Sequence, residues 1–390
     1  VLSLQSIPMT EAVFAAALEA LLDRTAVFLD CQCHWAAGGA GLAGLAGTLT
    51  RYEGWFLIPF VTLYFLAAGG KRRWTAAMLF GAVASLGPLY WLAHNWWYYG
   101  DALEFYHGEW SAKAIYLRAL ASGMQPYPGD GDWRLAAEHF AAAVRLAAGW
   151  PRVAMAAGGA AVPLWRRRWQ PLALLALPAV FYVWSIYSSG TPIFVPHLWP
   201  HSYYNTRYGL VAMPLLAVAA ASLVAAAPAR WRRWRLAATA AAVVAAMAPW
   251  IVQPSPENWI CWKEAQVNSV QRRQWTTLAA EYLREHYCGG GILASFGDLT
   301  GIFLEAGIPL RETLHAGNAP HWQGSLARPD LFLREEWAVA VSGDRVATTL
   351  LHAHRNGPRY DCVKMIALRG APVIEIYRRT GTFHLDPRRQ

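Results

Sequence analysis

The stretch AAGGAGLAGLAGTLTRYEGWFLIPFVTLYFLAAG (36–69) decides the fold. Two apolar runs, 36–50 and 53–69, meet at Thr50-Arg51-Tyr52-Glu53-Gly54. A cation and a carboxylate packed into a short turn between apolar runs describe a hairpin of two membrane segments with a polar tip. Working outward, further apolar segments lie at 11–29, 75–98, 145–163, 171–189, 208–227 and 235–252. The segment at 145–163 is rich in Ala and Gly, which let helices approach closely in lipid. The expected fold class is therefore mainly α: a polytopic helical membrane bundle of about eight spans over residues 1–253. Residues 254–390 read as a soluble extracytoplasmic α/β domain, with a helix over 271–286, a short helix over 299–307 ended by Gly307, and strands in 289–298, 337–341 and 373–377.

Composition agrees. Of 390 residues, 55% are hydrophobic and 15% charged, with 21 Trp and a mean hydropathy of +0.20. Soluble domains carry about 25% charged residues. Disorder, coiled coil and collagen are excluded by the same numbers. The net charge of +9 does not imply a nucleic-acid partner. Residues 1–253 hold 18 Lys and Arg against 11 Asp and Glu, and residues 254–390 hold 16 against 14. The basic excess sits in turns of the apolar part: Lys71-Arg72-Arg73, Arg166-Arg167-Arg168, and Arg230, Arg232, Arg233 and Arg235. These fall on one side if every segment spans once, which marks that side as cytoplasmic. The chain begins at Val1 without a signal-type basic region, and it reads as a fragment or processed chain missing upstream sequence.

The opposite face collects the residues that can carry chemistry. Glu11 stands at the mouth of the first span, as a metal ligand or acid/base group, or as a helix-start acid beside a capping Thr10. Arg51 and Glu53 form either an ion pair that holds the hairpin, with Gly54 relieving backbone strain, or an anion site beside Glu11. HLWPHSYYNTRYG (197–209) is the densest polar-aromatic cluster. It offers His197, His201, Tyr203, Tyr204, Asn205, Arg207 and Tyr208, and an Arg flanked by Tyr at headgroup level suits a lipid-linked phosphate. An interfacial aromatic belt with a snorkelling Arg is the plainer alternative. The loop after 99 adds Asp101, Glu104, His107 and Glu109 among Trp110, Tyr116, Tyr127 and Trp133, a set suited to sugar binding or to an amphipathic segment on the membrane.

GGGILASFGD (289–298) lacks both dinucleotide and Walker spacing and reads as a turn and a strand. His352 and His354 alternate as on a strand or lie in a loop, with no zinc spacing. Cys31 and Cys33 are expected reduced on the cytoplasmic side, and the outer Cys261, Cys288 and Cys362 allow at most one disulfide.

QSIPMTEAVF (5–14), AGLAGTLTRYEGWFLIPF (43–60) and YYNTRYGLVAMPLL (203–216), followed by a soluble tail, resemble the polytopic GT-C-type glycosyltransferases, among them the bacterial relatives of protein O-mannosyltransferases and lipid A aminoarabinose transferases. The similarity covers most of residues 1–253 in pattern, through short motifs. It implies inverting transfer of a sugar from a polyprenyl-phosphate-linked donor to an acceptor (protein, lipid or glycan) outside a bacterial cytoplasmic membrane, with membrane lipids as partners and no nucleic acid. By the same resemblance, Glu11 matches an acidic position near a divalent metal or the donor phosphate, Arg51 and Glu53 match the basic turn, and Arg207 and Tyr208 match the lipid-phosphate contacts. His197, His201, Tyr203, Tyr204 and Asn205 are expected to line the substrate site. The family's catalytic Asp has no counterpart in this chain, so the base lies upstream or another acid such as Asp101 serves. Two other readings stay open: a transporter or flippase of a lipid-linked anion, and a membrane-anchored binding protein.

Overall fold

A computed structural model describes residues 10–108, 111–255, 257–295, 297–318, 320–353 and 357–380. Residues 5–9, Glu109, Trp110, Phe296 and His354, singled out above, lie outside the described residues. The chain forms two compact units, Val1–Ala265 and Gln266–Gln390.

The first unit is helical. Its elements are α1 (Glu11–Cys31), α2 (His34–Thr50), α3 (Tyr52–Ala68), α4 (Arg73–Tyr99), the short α5 (Glu104–His107) and α6 (Ala112–Ala121), α7 (Trp133–Ala148), α8 (Trp150–Trp165), α9 (Gln170–Tyr187), α10 (Met213–Ala226) and α11 (Arg232–Val252). A 3-10 turn, Thr206–Ala212, leads into α10. Each expected apolar segment is largely helical, the one at 145–163 in two pieces. Four helical stretches are long and apolar enough to cross a membrane: Gly70–Tyr99, Gln170–Tyr187, Thr206–Ala226 and Arg232–Val252. The rest fall short for physical reasons. With 17 residues each, α2 and α3 reach about 25 Å against a hydrocarbon thickness of about 30 Å. Helix α1 has the length but carries Glu19, Asp23, Arg24 and Asp30.

Two findings depart from expectation. The 145–163 segment is broken at Gly149, whose φ of 77° no L side chain adopts comfortably. Before the break lies α7, an amphipathic helix within the stretch expected as an outer loop. Asp132 caps it by accepting from the backbone N–H of Arg134 and Leu135 at 2.8 and 3.0 Å, worth about 1 kcal/mol. Its buried face, Ala136, His139, Phe140 and Ala143, packs with Tyr182 and Ile186 of α9.

The core beneath the site comes from α1, α2, α3 and α4. Phe14, Leu18 and Phe28 of α1 meet Ala36 and Ala40 of α2, Val61 and Phe65 of α3, and Phe80 of α4. Between α1 and α2 the chain reverses at Gln32, φ 53°. That reversal brings Cys31 and Cys33 to a Cα separation of 5.2 Å, and the structure joins them in a disulfide. The expectation that both stay reduced is thereby corrected. Cys261, Cys288 and Cys362 are all free, so the disulfide allowed among them does not form.

The boundary between the units falls inside a long helix, α12 (Ile260–His286). The second unit is α/β. Strands β1 (Ile292–Ala294), β2 (Thr313–His315), β3 (Trp337–Val341), β4 (Arg359–Ile366) and β5 (Ile374–Thr380) form one mixed sheet in the order β2-β1-β3-β5-β4. β1 runs parallel to β2 and β3, while β5 is antiparallel to β3 and β4. The helix α13 (Thr300–Ala306) ends at Gly307, φ 78°, as expected. Three further helices follow: α14 (His321–Ala327), α15 (Pro329–Phe332) and α16 (Arg345–Ala353). His352 lies on α16 rather than on a strand or loop, and its Nδ1 sits 2.7 Å from Thr348 O, one turn back on the same helix.

Candidate functional site

The tip of the α2–α3 hairpin organises the site. Gly54 follows the turn closely enough that a Cβ there would lie 2.7 Å from the Gly47 carbonyl carbon and the Thr48 nitrogen. Close approach of the two helix backbones therefore requires the glycine, not relief of backbone strain. With the turn drawn tight, Arg51 points inward. Its Nε donates to Glu53 Oε1 at 2.7 Å, its Nη1 to Thr10 Oγ1 at 3.0 Å, and its Nη2 to the Tyr182 hydroxyl at 2.5 Å. Tyr182 in turn donates to Glu53 Oε1. Glu53 is 3% exposed and Tyr182 equally so, which makes this a closed triangle of two buried groups and the half-buried Arg51.

Glu11 links the triangle to the third motif. Its Oε1 lies 3.1 Å from Arg51 Nη1 and 3.1 Å from Arg207 Nε. Its Oε2 is buried without a hydrogen-bond partner among the described residues. The capping role weighed for Thr10 is not realised: its side chain makes no cap bond and accepts from Arg51 instead. Tyr208 lies between the two guanidiniums, with Arg51 5.0 Å and Arg207 4.9 Å from its ring centre. Arg207 also donates to Glu264 Oε1 at 3.1 Å. Glu264 fixes the loop that carries Arg207: it accepts from the backbone N–H of Asn205 at 2.9 Å, from that of Thr206 at 2.7 Å, and from the Thr206 hydroxyl. Gly209 lets the same 3-10 turn seat on α7, since a Cβ there would meet the Ala143 carbonyl carbon at 2.5 Å.

Charges in this cluster nearly balance. Arg51 and Arg207 face Glu11, Glu53 and Glu264, so the group is one negative charge in excess with all three carboxylates ionised. Beside it opens a cleft of about 400 Å³ lined by Thr48, Thr50, Tyr52, Trp55, Trp91 and Tyr208, within the size range of small-molecule sites. The aromatic faces and hydroxyls of this lining suit a sugar ring.

The remaining expected residues are placed elsewhere in the unit. Asp101 pairs with His107 at 3.2 Å and accepts from the backbone N–H of Leu103. His197 Nε2 lies 2.8 Å from Arg145 Nη2, and burial, Arg145 and His139 together hold its pKa below the ordinary histidine value. His201 contacts Pro196 O at 3.1 Å. Tyr204 pairs by backbone with Phe194, and Tyr203 packs at the edge of a small core with Ile260. Asn205 takes the left-handed conformation, φ 57°, and donates to Pro192 O. These residues build the loop that presents Arg207 and Tyr208.

For a divalent metal, the donor set is thin. Among the described residues, no three His, Cys, Asp or Glu converge, and Glu11 Oε2 is one free ligand. The described residues alone do not form a metal cage.

Sequence reading missed Tyr182 and Glu264. Tyr182 lies in the apolar run FYVWSIY and carries no local signal. Glu264 had one: from His139 to Pro256 the chain holds ten Arg and no Asp, Glu or Lys, so any carboxylate for Arg207 had to come from outside that stretch.

No protein-family profile, curated protein or solved structure matches the chain.

Proposed function

We propose that the chain is a membrane glycosyltransferase that moves a sugar from a polyprenyl-phosphate-linked donor to an acceptor at the extracytoplasmic face. In this reading the other apolar helices complete a bundle of about eight spans, and the Arg51 end faces outward, opposite the arginine-rich turns. One observation carries the proposal. The three motifs behind the GT-C resemblance, separated by up to about two hundred residues, converge through Glu11, Arg51, Arg207 and Tyr208 on one partly buried cluster beside an aromatic cleft.

The chemistry follows from the hydrogen bonds. The donor's C1–O bond breaks and its electron pair goes to the phosphate oxygen, where the guanidiniums of Arg51 and Arg207 stabilise the growing negative charge. An acceptor hydroxyl forms the new bond to C1 and gives up its proton. In this reading Glu11 takes that proton as the general base. Tyr52, Trp55 and Trp91 stack against the sugar.

The charge balance favours one other reading: the cluster only ties helices together, and the chain is a membrane-anchored binding protein. Detergent-solubilised protein incubated with radiolabelled polyprenyl-phosphate sugars separates the two. Donor binding that Arg207→Ala abolishes without disturbing folding supports the transferase. Folded protein that binds none of a range of such donors sinks it.

A further inference from the structure

Opposite the Arg51 cluster lies a feature the transferase reading does not use. Chain direction places it. Helix α10 starts just after Tyr208 and ends toward Arg230, and α9 starts just after Arg166–Arg168 and ends near Tyr182. Arg166, Arg167, Arg168, Arg230, Arg232, Arg233 and Arg235 therefore gather at the far end of the unit. None has a described carboxylate within ion-pair distance, as the absence of Asp and Glu from 139 to 256 requires of local partners.

From that end an apolar groove runs between α11 and the pair α8–α10. Its outer part, about 770 Å³, is lined by Leu223, Val224, Trp231, Trp234, Arg235 and Ala242. A contiguous hollow of about 560 Å³ shares Val224, Arg235 and Ala242 and continues along α10 and α11 past Ala221 and Ala246, with Arg152 of α8 also in its lining. On α11 the lining runs from Arg235 to Met247, about 18 Å of helix rise. One leaflet of hydrocarbon is about 15 Å thick. Helix α11 has no buried residue along its length, and Ala238, Thr239 and Ala241 are exposed although they face neighbouring helices. The groove is thus open to whatever surrounds the helices, is as long as one acyl chain's depth, and has Arg235 in its lining at the arginine-rich end.

We propose that this groove binds an anionic diacyl phospholipid, with one acyl chain between α10 and α11 and the phosphate on Arg235 and its neighbours. Charge selects the headgroup: guanidinium forks bind phosphate oxygens, and clustered Arg at a membrane surface favours anionic over zwitterionic lipid. Small side chains on α11 leave the space that the chain fills. The site requires a membrane but not the transferase reading, and it stands at the other end of the unit from Arg51.

The test uses the whole chain in detergent and two lipids with identical chains, phosphatidylglycerol and phosphatidylcholine. Retention is read by native mass spectrometry, and the contact is mapped with a photoreactive-chain phosphatidylglycerol. Wild type is expected to retain phosphatidylglycerol at least tenfold better, with cross-links on α10 and α11. Combined Arg232→Gln, Arg233→Gln and Arg235→Gln should erase the preference. Ala242→Leu, which fills the groove, should weaken both lipids alike and move the cross-links. Equal retention of the two lipids by wild type overturns the proposal. So do cross-links spread evenly over α4 and α9, or a groove occupied by a second copy of the chain. Should the arginine variant fail to fold, the Ala242→Leu result and the cross-link map still decide. Loss of donor binding at Arg51 leaves this outcome untouched, so the two proposals fail separately.

Discussion

Arg207 Nη1 donates to Glu264 Oε1 across 3.1 Å, and the same carboxylate holds the two backbone N–H groups just before Arg207. One buried side chain therefore both pairs the arginine's charge and fixes its position. Replacing Glu264 with Ala leaves two buried N–H donors and a partly buried guanidinium short of an acceptor. The expected cost is about 3–5 kcal/mol, the range for removing one partner of a buried pair. Thermal unfolding in detergent reads it, and an unchanged midpoint would mean that water replaces the carboxylate.

Tyr182 bridges Arg51 and Glu53, so its hydroxyl is part of a network rather than an isolated bond. Tyr182→Phe should destabilise by about 1–3 kcal/mol, because Glu53 stays buried with one donor fewer. A cycle with Glu53→Gln should be non-additive by about 0.5–3 kcal/mol. Additive effects would separate the two residues and undo the triangle. Arg51→Lys is a sharper variant. It keeps the charge but cannot donate at once to Glu53, Thr10 and Tyr182, and donor binding is expected to fall at least tenfold.

How far the primary structure discloses this site depends on the range of each contact. The hairpin tip was readable because Arg51 and Glu53 sit two residues apart between apolar runs, and charge there has few explanations. The helices were readable because each apolar run is long against its turns. Tyr182 was not, since a hydroxyl within an apolar helix looks the same whether it faces lipid or an ion pair 131 residues away. Helix α7 was hidden by its mixed composition: its apolar face is legible only once α9 is known to lie against it. Strand β2, three residues long, exists through its pairing with β1 and has no pattern of its own. In the loop 197–205 the local contacts of His197, His201 and Tyr204 depend on Arg145, Pro196 and Phe194, partners that composition does not disclose.

His197 gives a pH signature of that loop. Burial, with the nearby charges of Arg145 and His139, depresses its pKa below the ordinary value of about 6.5. The folded state then binds fewer protons than the unfolded state below that pH, so His197 opposes folding as pH falls from about 6.5 toward its own lowered pKa. The effect on stability is small because His197 is only partly screened from water. A direct reading by NMR of the histidine ring is the better measurement. Arg145→Gln should move the titration upward toward the ordinary value, and an unmoved titration would remove Arg145 as a cause.

The three free thiols should divide by environment. Burial, then the neighbouring Glu264 carboxylate, pushes Cys261 up to about 11, whereas Cys288 and Cys362 are exposed. At pH 8 a thiol of that pKa is thiolate in about one molecule per thousand, and only the thiolate reacts. Alkylation of Cys261 is therefore expected to run roughly a hundredfold slower than that of an unperturbed thiol of pKa about 8.5. Peptide mapping after timed alkylation should find Cys288 and Cys362 modified first. Glu264→Gln removes the negative charge beside Cys261 and should speed its reaction even where folding is retained. Rapid labelling of Cys261 in the wild-type protein would mean that the helix carrying Glu264 opens readily, and with it the clamp on Arg207.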